Sequence, residues 1–124
     1  MALNNPARVL IVEDERLVAL DLERQLRGLG CMVVGLVSTG LEAINQTLEH
    51  RPDIILMDIR LHGQMDGIEA VSSIRQRAEV RIIYMSAYID ETTLARARVT
   101  EPAAFLHKPF NRYALQETLQ QVLF

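Results

Sequence analysis

The chain has 124 residues, 49% of them hydrophobic and 23% charged, which is the size and balance of one globular domain with a single core. Its net charge of -3, with no block of like charge, argues against a nucleic-acid surface. No charged-then-apolar signal peptide opens it and no apolar run approaches the roughly 18 residues of a membrane span, so a cytoplasmic domain without membrane contact is expected.

The first apolar run, Val9-Leu10-Ile11-Val12, leads directly into Glu13 and Asp14. Val18, Leu22, Leu26 and Leu29 follow at spacings of three or four, one face of a helix that Gly28 and Gly30 close. Cys31 is the single cysteine, which excludes an internal disulfide, and its place in an apolar run predicts a buried, inert thiol. Met32-Val33-Val34 predicts a second strand, and Leu41, Ile44 and Leu48 a second helix. Pro52 precedes the third run, Ile54-Ile55-Leu56-Met57, which ends in Asp58. Ile68, Val71 and Ile74 mark a third helix. The fourth run, Ile82-Ile83-Tyr84-Met85, ends at Ser86. The helix expected over Glu91 to Val99 has only a thin apolar stripe, Leu94 and Ala97. Ala103-Ala104-Phe105-Leu106 leads to Lys108 and Pro109, and a last helix turns Leu115, Leu119 and Val122 inward.

The runs are continuous instead of alternating, as in parallel strands covered on both faces. Strand and helix alternate five times, and right-handed crossovers then place helices on both faces of one open sheet. The common solution has strand order 2-1-3-4-5, with a switch point between strands 1 and 3, outside whose carboxyl ends ligands bind. That end collects Glu13, Asp14, Asp58, Ser86 and Lys108. Three carboxylates so close raise one another's pKa unless a cation neutralises them, and an all-oxygen set suits Mg²⁺. A carboxylate, Mg²⁺, a lysine and a hydroxyl together suit phosphoryl transfer, with Asp58 as the nucleophile.

Taken singly, each residue has a plainer role. Asp14 would cap the helix that follows, Glu13 would be solvated, Ser86 would serve a turn and Lys108 the surface. Their convergence from separate strand ends favours the joint reading. His50, His62 and His107 form no metal-ligand spacing, and solvated or packing roles are expected for them.

The segments "VLIVEDE", "ILMDIRL…MDG", "MSA" and "KPF", in this order and spacing, resemble the receiver domain of two-component response regulators. The likeness runs from Arg8 to about Leu123, within one domain spanning residues 1–124. It implies a flavodoxin-like (βα)5 fold that takes a phosphoryl group from a phosphohistidine on a histidine kinase or histidine phosphotransfer protein. By resemblance, Asp58 is the phosphoacceptor, and Glu13, Asp14 and the Arg60 backbone carbonyl join it in holding Mg²⁺, for which Mn²⁺ would substitute. Ser86 matches the switch hydroxyl, Lys108 the phosphate-binding lysine and Phe105 the switch aromatic. Arg60 and Tyr88 stand at the positions that tune phosphoryl lifetime. The surface of the fourth helix, fifth strand and fifth helix would carry the signal to a partner or to a second copy in a homodimer. Members usually have a cis peptide before the proline that here is Pro109.

Two departures stand out. The loop Leu61-His62-Gly63-Gln64-Met65-Asp66-Gly67 is one residue longer than is usual and carries glycine where most members have proline. No output domain is expected, since the chain ends with the fifth helix, as a stand-alone receiver or a piece of a longer regulator would. The alternatives are a degenerate receiver that only binds protein, and a Mg²⁺-dependent phosphohydrolase. The first would lack an acidic ligand or the lysine; the second needs an acid where Arg60 stands.

Overall fold

The computed structural model describes residues 6–123. Strands β1 (Arg8–Val12), β2 (Met32–Val37), β3 (Ile54–Asp58), β4 (Arg81–Ser86) and β5 (Ala104–His107) alternate with helices α1 (Arg16–Gly28), α2 (Gly40–His50), α3 (Gly67–Arg75), α4 (Glu91–Val99) and α5 (Arg112–Leu123). All strand pairs are parallel, and the sheet order is β2-β1-β3-β4-β5. This is the flavodoxin-like arrangement expected, with β1 and β3 adjacent at the switch point.

Alternate residues of each central strand serve two separate cores. Leu10, Val12, Ile55, Met57, Ile82 and Tyr84 pack against Ala43, Ile44, Ile68, Val71, Ile74 and Ala97 of α2, α3 and α4. Val9, Ile11, Ile54, Leu56, Ile83 and Met85 pack against Ala19, Leu22, Leu26, Leu115 and Leu119 of α1 and α5. Period-two side chains with both faces covered require every position to be apolar, which is why the runs are continuous. Residues Ile54 to Met57 are fully buried. Each contributes roughly 1.5–3 kcal/mol through burial, so β3 is a rigid mount for the residue at its end.

Several local expectations are corrected. β2 does not stop at Val34 but runs to Val37 past a register shift, with Gly35 opposite Leu10. A Cβ at Gly35 would lie 3.1 Å from Leu10 Cδ1, so glycine there leaves room for the Leu10 side chain within a strand that continues. In α1 the buried stripe is Ala19, Leu22 and Leu26, with Val18 exposed; in α2 it includes Ala43 and Thr47, with Leu41 exposed. Cys31 is half-buried, where burial pushes its thiol pKa up.

α4 buries only Ala97, so apolar packing alone holds it weakly. Polar contacts anchor its carboxyl end. Arg75 of α3 donates from Nε to the Thr100 carbonyl at 3.1 Å, from one terminal nitrogen to the Glu101 carbonyl at 3.1 Å and from the other to the Val80 carbonyl. The Thr100 hydroxyl donates to the Ala97 carbonyl at 2.6 Å and lies 2.7 Å from the buried Tyr84 hydroxyl. Arg96, in the last turn, also pairs with Asp66 at 3.0 Å, while at the amino end the fastening is lighter: Asp90 accepts from the Thr93 N–H at 2.7 Å. The helix is thus pinned where it meets β5 and less firmly held toward the carboxyl end of the sheet.

Candidate phosphoacceptor site

The hydrogen-bond ladder of the sheet continues one residue past the strands. The Glu13 N–H donates to the Val37 carbonyl at 3.0 Å, Ile59 N–H to Met85 carbonyl at 3.1 Å, and Lys108 N–H to Ser86 carbonyl at 2.8 Å. Residues that end apolar strands are therefore fixed by backbone pairing, and their side chains are aimed at a common point. Carboxylate oxygens of Glu13, Asp14 and Asp58 all lie within 4.8 Å of one another. Glu13 and Asp58 are 3% and 6% exposed. The Lys108 ammonium donates to Glu13 Oε2 at 2.6 Å and reaches Asp58 Oδ2 at 3.3 Å. The Arg60 N–H donates to Asp58 Oδ1 at 3.2 Å. The Lys108–Pro109 peptide is cis.

Burial pushes the Asp58 carboxyl up to about 6, with the Glu13 carboxylate adding to the rise while Lys108 and the Arg60 N–H oppose it. Burial by itself would depress Lys108, but the Glu13 and Asp58 carboxylates outweigh it and its pKa is raised. One ammonium thus faces three carboxylates, and the pocket is short of positive charge.

The donor set fits a hard divalent cation: oxygen atoms alone, converging from two strands, with surplus negative charge. Among the described residues it is the only such group of three or more acidic, histidine or cysteine side chains. Asp14 is free for this role because the α1 cap falls on Glu15, which makes no side-chain capping bond.

The Ser86 hydroxyl donates to the Tyr88 carbonyl at 2.8 Å and so is engaged with its own loop instead of with Asp58. Tyr88 and Arg60 are exposed at the pocket rim. Phe105 is not a core residue but 39% exposed, because β5 is the sheet edge; its ring lies 5.7 Å from that of Tyr84.

Two residues escaped the sequence reading. His62, expected to be solvated or packed, has an exposed ring whose Nδ1 nonetheless meets Asp14 Oδ2, and its N–H donates to the same oxygen at 3.0 Å. The lengthened loop was the available signal, since extra chain beside a site must lie somewhere. Gly67 starts α3 against the Asp58 backbone, and its signal was position: a glycine directly after Asp66, whose carboxylate and Glu69 form a capping box.

A family model described as the response regulator receiver domain matches residues 9–120. The chain is 38% identical over 106 residues to the transcriptional regulatory protein PdtaR of Mycobacterium tuberculosis, covering 86% of this chain and 51% of that protein. It is likewise 38% identical over 125 residues to the phyllosphere-induced regulator PhyR of Methylorubrum extorquens, covering 100% of this chain and 46% of that one. The chain thus spans about half the length of these curated relatives. Among solved structures, the signal receiver domain of a modulated diguanylate cyclase from Desulfovibrio desulfuricans superposes with a TM-score of 0.90 at 35% identity, covering 96% of this chain and 94% of that one. No described helix is long and apolar enough to cross a membrane. With this sheet order, these strand-end residues and a match over most of its length, the chain belongs to the response regulator receiver domain family.

Proposed function

We propose that the described residues act as one cytoplasmic receiver unit that takes a phosphoryl group from a phosphohistidine onto Asp58. The observation that carries this reading is Asp58 itself: a buried carboxylate 3.3 Å from the Lys108 ammonium and grouped with Glu13 and Asp14. The donor would be a histidine kinase or a histidine phosphotransfer protein. The Asp58 carboxylate attacks phosphorus, the bond from phosphorus to the donor imidazole breaks, and the departing nitrogen takes up a proton. With its carboxyl at about 6, Asp58 is mostly ionised and nucleophilic at neutral pH. Lys108 binds one phosphoryl oxygen, and burial behind β3 holds the nucleophile in line. Glu13, Asp14, Asp58 and the Arg60 carbonyl would hold Mg²⁺ or Mn²⁺, which when bound neutralises charge on the phosphoryl oxygens. The domain catalyses only its own phosphorylation and dephosphorylation.

Intact-mass analysis after treatment with a small acyl-phosphate donor tests the assignment. Wild type should gain one phosphoryl group only when Mg²⁺ is present, and Asp58→Asn should gain none. Equal incorporation in the variant removes Asp58 from the mechanism.

Arg60 and Tyr88, large side chains at the rim, limit the access of water to the phosphorylated aspartate. The double variant Arg60→Ala/Tyr88→Ala should lose its phosphoryl group faster than wild type, followed by decay of the phosphorylated mass. A decay rate identical in the two proteins rules out shielding.

Phosphorylation typically adds about -1.5 to -2 charge, with strong acceptor oxygens. A hydrogen bond to such a charged group contributes roughly 1.5–3 kcal/mol, enough to draw the Ser86 hydroxyl away from the neutral Tyr88 carbonyl. Phe105, half out at the edge, then turns toward the vacated space. The α4-β5-α5 surface, where Val99 and Phe105 are exposed, changes with it and meets a partner or a second copy. In chemical-shift mapping with beryllofluoride, changes should reach α4, β5 and α5 in wild type and stay near the pocket in Ser86→Ala. Equally wide changes in both proteins contradict this route.

A further inference from the structure

His62 is separated from Asp14 by 48 positions, yet both donors it offers on this side converge on one oxygen. Its N–H lies 3.0 Å from Asp14 Oδ2, and ring Nδ1 meets the same atom. Among the described residues no other donor reaches the Asp14 side chain, so Oδ1 is left without a hydrogen bond. The chain arrives at this position through the lengthened β3–α3 connection. Gly63 beside it has φ 105, a left-handed turn with no atom within 4 Å of where a side chain would begin. The glycine is therefore required by the backbone turn and not by crowding.

The His62 side chain is 93% exposed while that of Asp14 is 10% exposed. So exposed a ring gains little from burial, and among the described residues its contact with Asp14 is its one specific interaction. An aspartate at the end of a strand otherwise turns freely about its last bond. Held at Oδ2 by two donors, it presents Oδ1 in a set direction. We infer that His62 is a positioning residue for Asp14, orienting that carboxylate for a divalent cation, and that the longer loop serves to bring it there. The inference rests on the reading of Glu13, Asp14 and Asp58 as a cation site.

Hydrogen-bond partners standing behind metal ligands typically change metal affinity by about 10–100-fold when removed. Here the backbone N–H survives substitution, so His62→Ala should weaken Mg²⁺ binding by less than that, about 3–10-fold. His62→Asn should restore affinity to within about 2-fold, because its amide nitrogen occupies the place of Nδ1 in a side chain of matching reach. His62→Gln, whose amide lies one methylene further out, should resemble His62→Ala.

Calorimetric titration of the full chain with Mg²⁺ reads these affinities, and thermal melts in EDTA read stability without metal. The expected result is the order wild type, Asn, then Gln and Ala, with metal-free melting temperatures unchanged. Wild-type affinity in His62→Ala overturns the inference. So does a His62→Asn variant as weak as His62→Ala, especially if Zn²⁺ binds wild type tightly and both variants poorly, since the imidazole would then be a ligand itself. A lowered metal-free melting temperature in His62→Ala that accounts for the weaker binding also overturns it. If wild type takes up no Mg²⁺, the cation-site reading falls, an outcome separable from any difference between the variants.

Discussion

Replacing Asp58 with asparagine is expected to raise the melting temperature of the metal-free domain at pH 7 by roughly 5–10 °C. Burial, then the Glu13 carboxylate, raises the Asp58 carboxyl from 3.8 to about 6. Below about pH 3.8 the group is protonated in folded and unfolded chains alike and costs nothing. Between there and about 6 the folded protein retains a proton that the unfolded chain has released, so stability falls as pH rises. Above about 6 the whole cost is present, on the order of 3 kcal/mol. Asparagine removes that cost and keeps an acceptor for the Arg60 N–H. The attraction to Lys108, which retains Glu13 at 2.6 Å, is already part of that balance, so a net gain of about 2–3 kcal/mol remains. Melts in EDTA at pH 4 and pH 7 should show the two proteins nearly equal at the lower pH and separated at the higher. Equal melting temperatures at pH 7 would show that the Asp58 carboxylate carries no folding cost. Added Mg²⁺ should stabilise wild type more than the variant, because binding to the folded state alone raises stability by mass action.

Gly67→Ala is expected to destabilise the domain by about 3 kcal/mol and to slow phosphoryl uptake at Asp58. A Cβ at Gly67 would lie 2.2 Å from the Asp58 carbonyl oxygen and 3.0 Å from both Asp58 C and Ile59 Cα. These are backbone atoms of β3 and its continuation, so no flexible side chain can swing aside. Overpacking of this kind costs roughly 1–3 kcal/mol or more, against a gain of at most about 1 kcal/mol from alanine's better helix propensity. Either α3 moves off, breaking the 2.9 Å bond from the Gly67 N–H to the Ile59 carbonyl, or the Asp58 backbone shifts and the carboxylate with it. Urea denaturation reads the first effect and the rate of mass increase with an acyl-phosphate donor reads the second. A variant as stable and as rapidly phosphorylated as wild type would mean that the helix start and Asp58 do not bear on one another.

The strands were legible because parallel strands buried on both faces leave a mark that does not depend on distant residues: continuous apolar runs. The helices behind them were legible in the same way, from spacing alone, although Val18 and Leu41 lie outside the buried faces and Ala19 and Ala43 lie inside. Small residues carry little hydrophobic signal, yet they fit where a helix presses closely on a sheet. The end of β2 was hidden for a related reason. Gly35 breaks the local pattern, but the neighbouring β1 continues and offers its backbone groups, so the ladder runs on to Val37.

Which residues end the strands was determined by the sequence, and with it the identity of Glu13, Asp14, Asp58, Ser86 and Lys108 as the groups at the switch point. What those groups do to one another was decided by the tertiary structure. The carboxyl of Asp58 sits at about 6 because burial and Glu13 outweigh Lys108, a balance set by distances between side chains from three strand ends. The Ser86 hydroxyl is turned to Tyr88, and Phe105 stands at an exposed edge because β5 is the last strand of the sheet. His62 meets Asp14 across 48 positions of chain, in a loop that turns through a left-handed Gly63. Spacing in the chain governs contacts within a helix or strand; contacts between residues brought together from distant strand ends depend on the completed sheet.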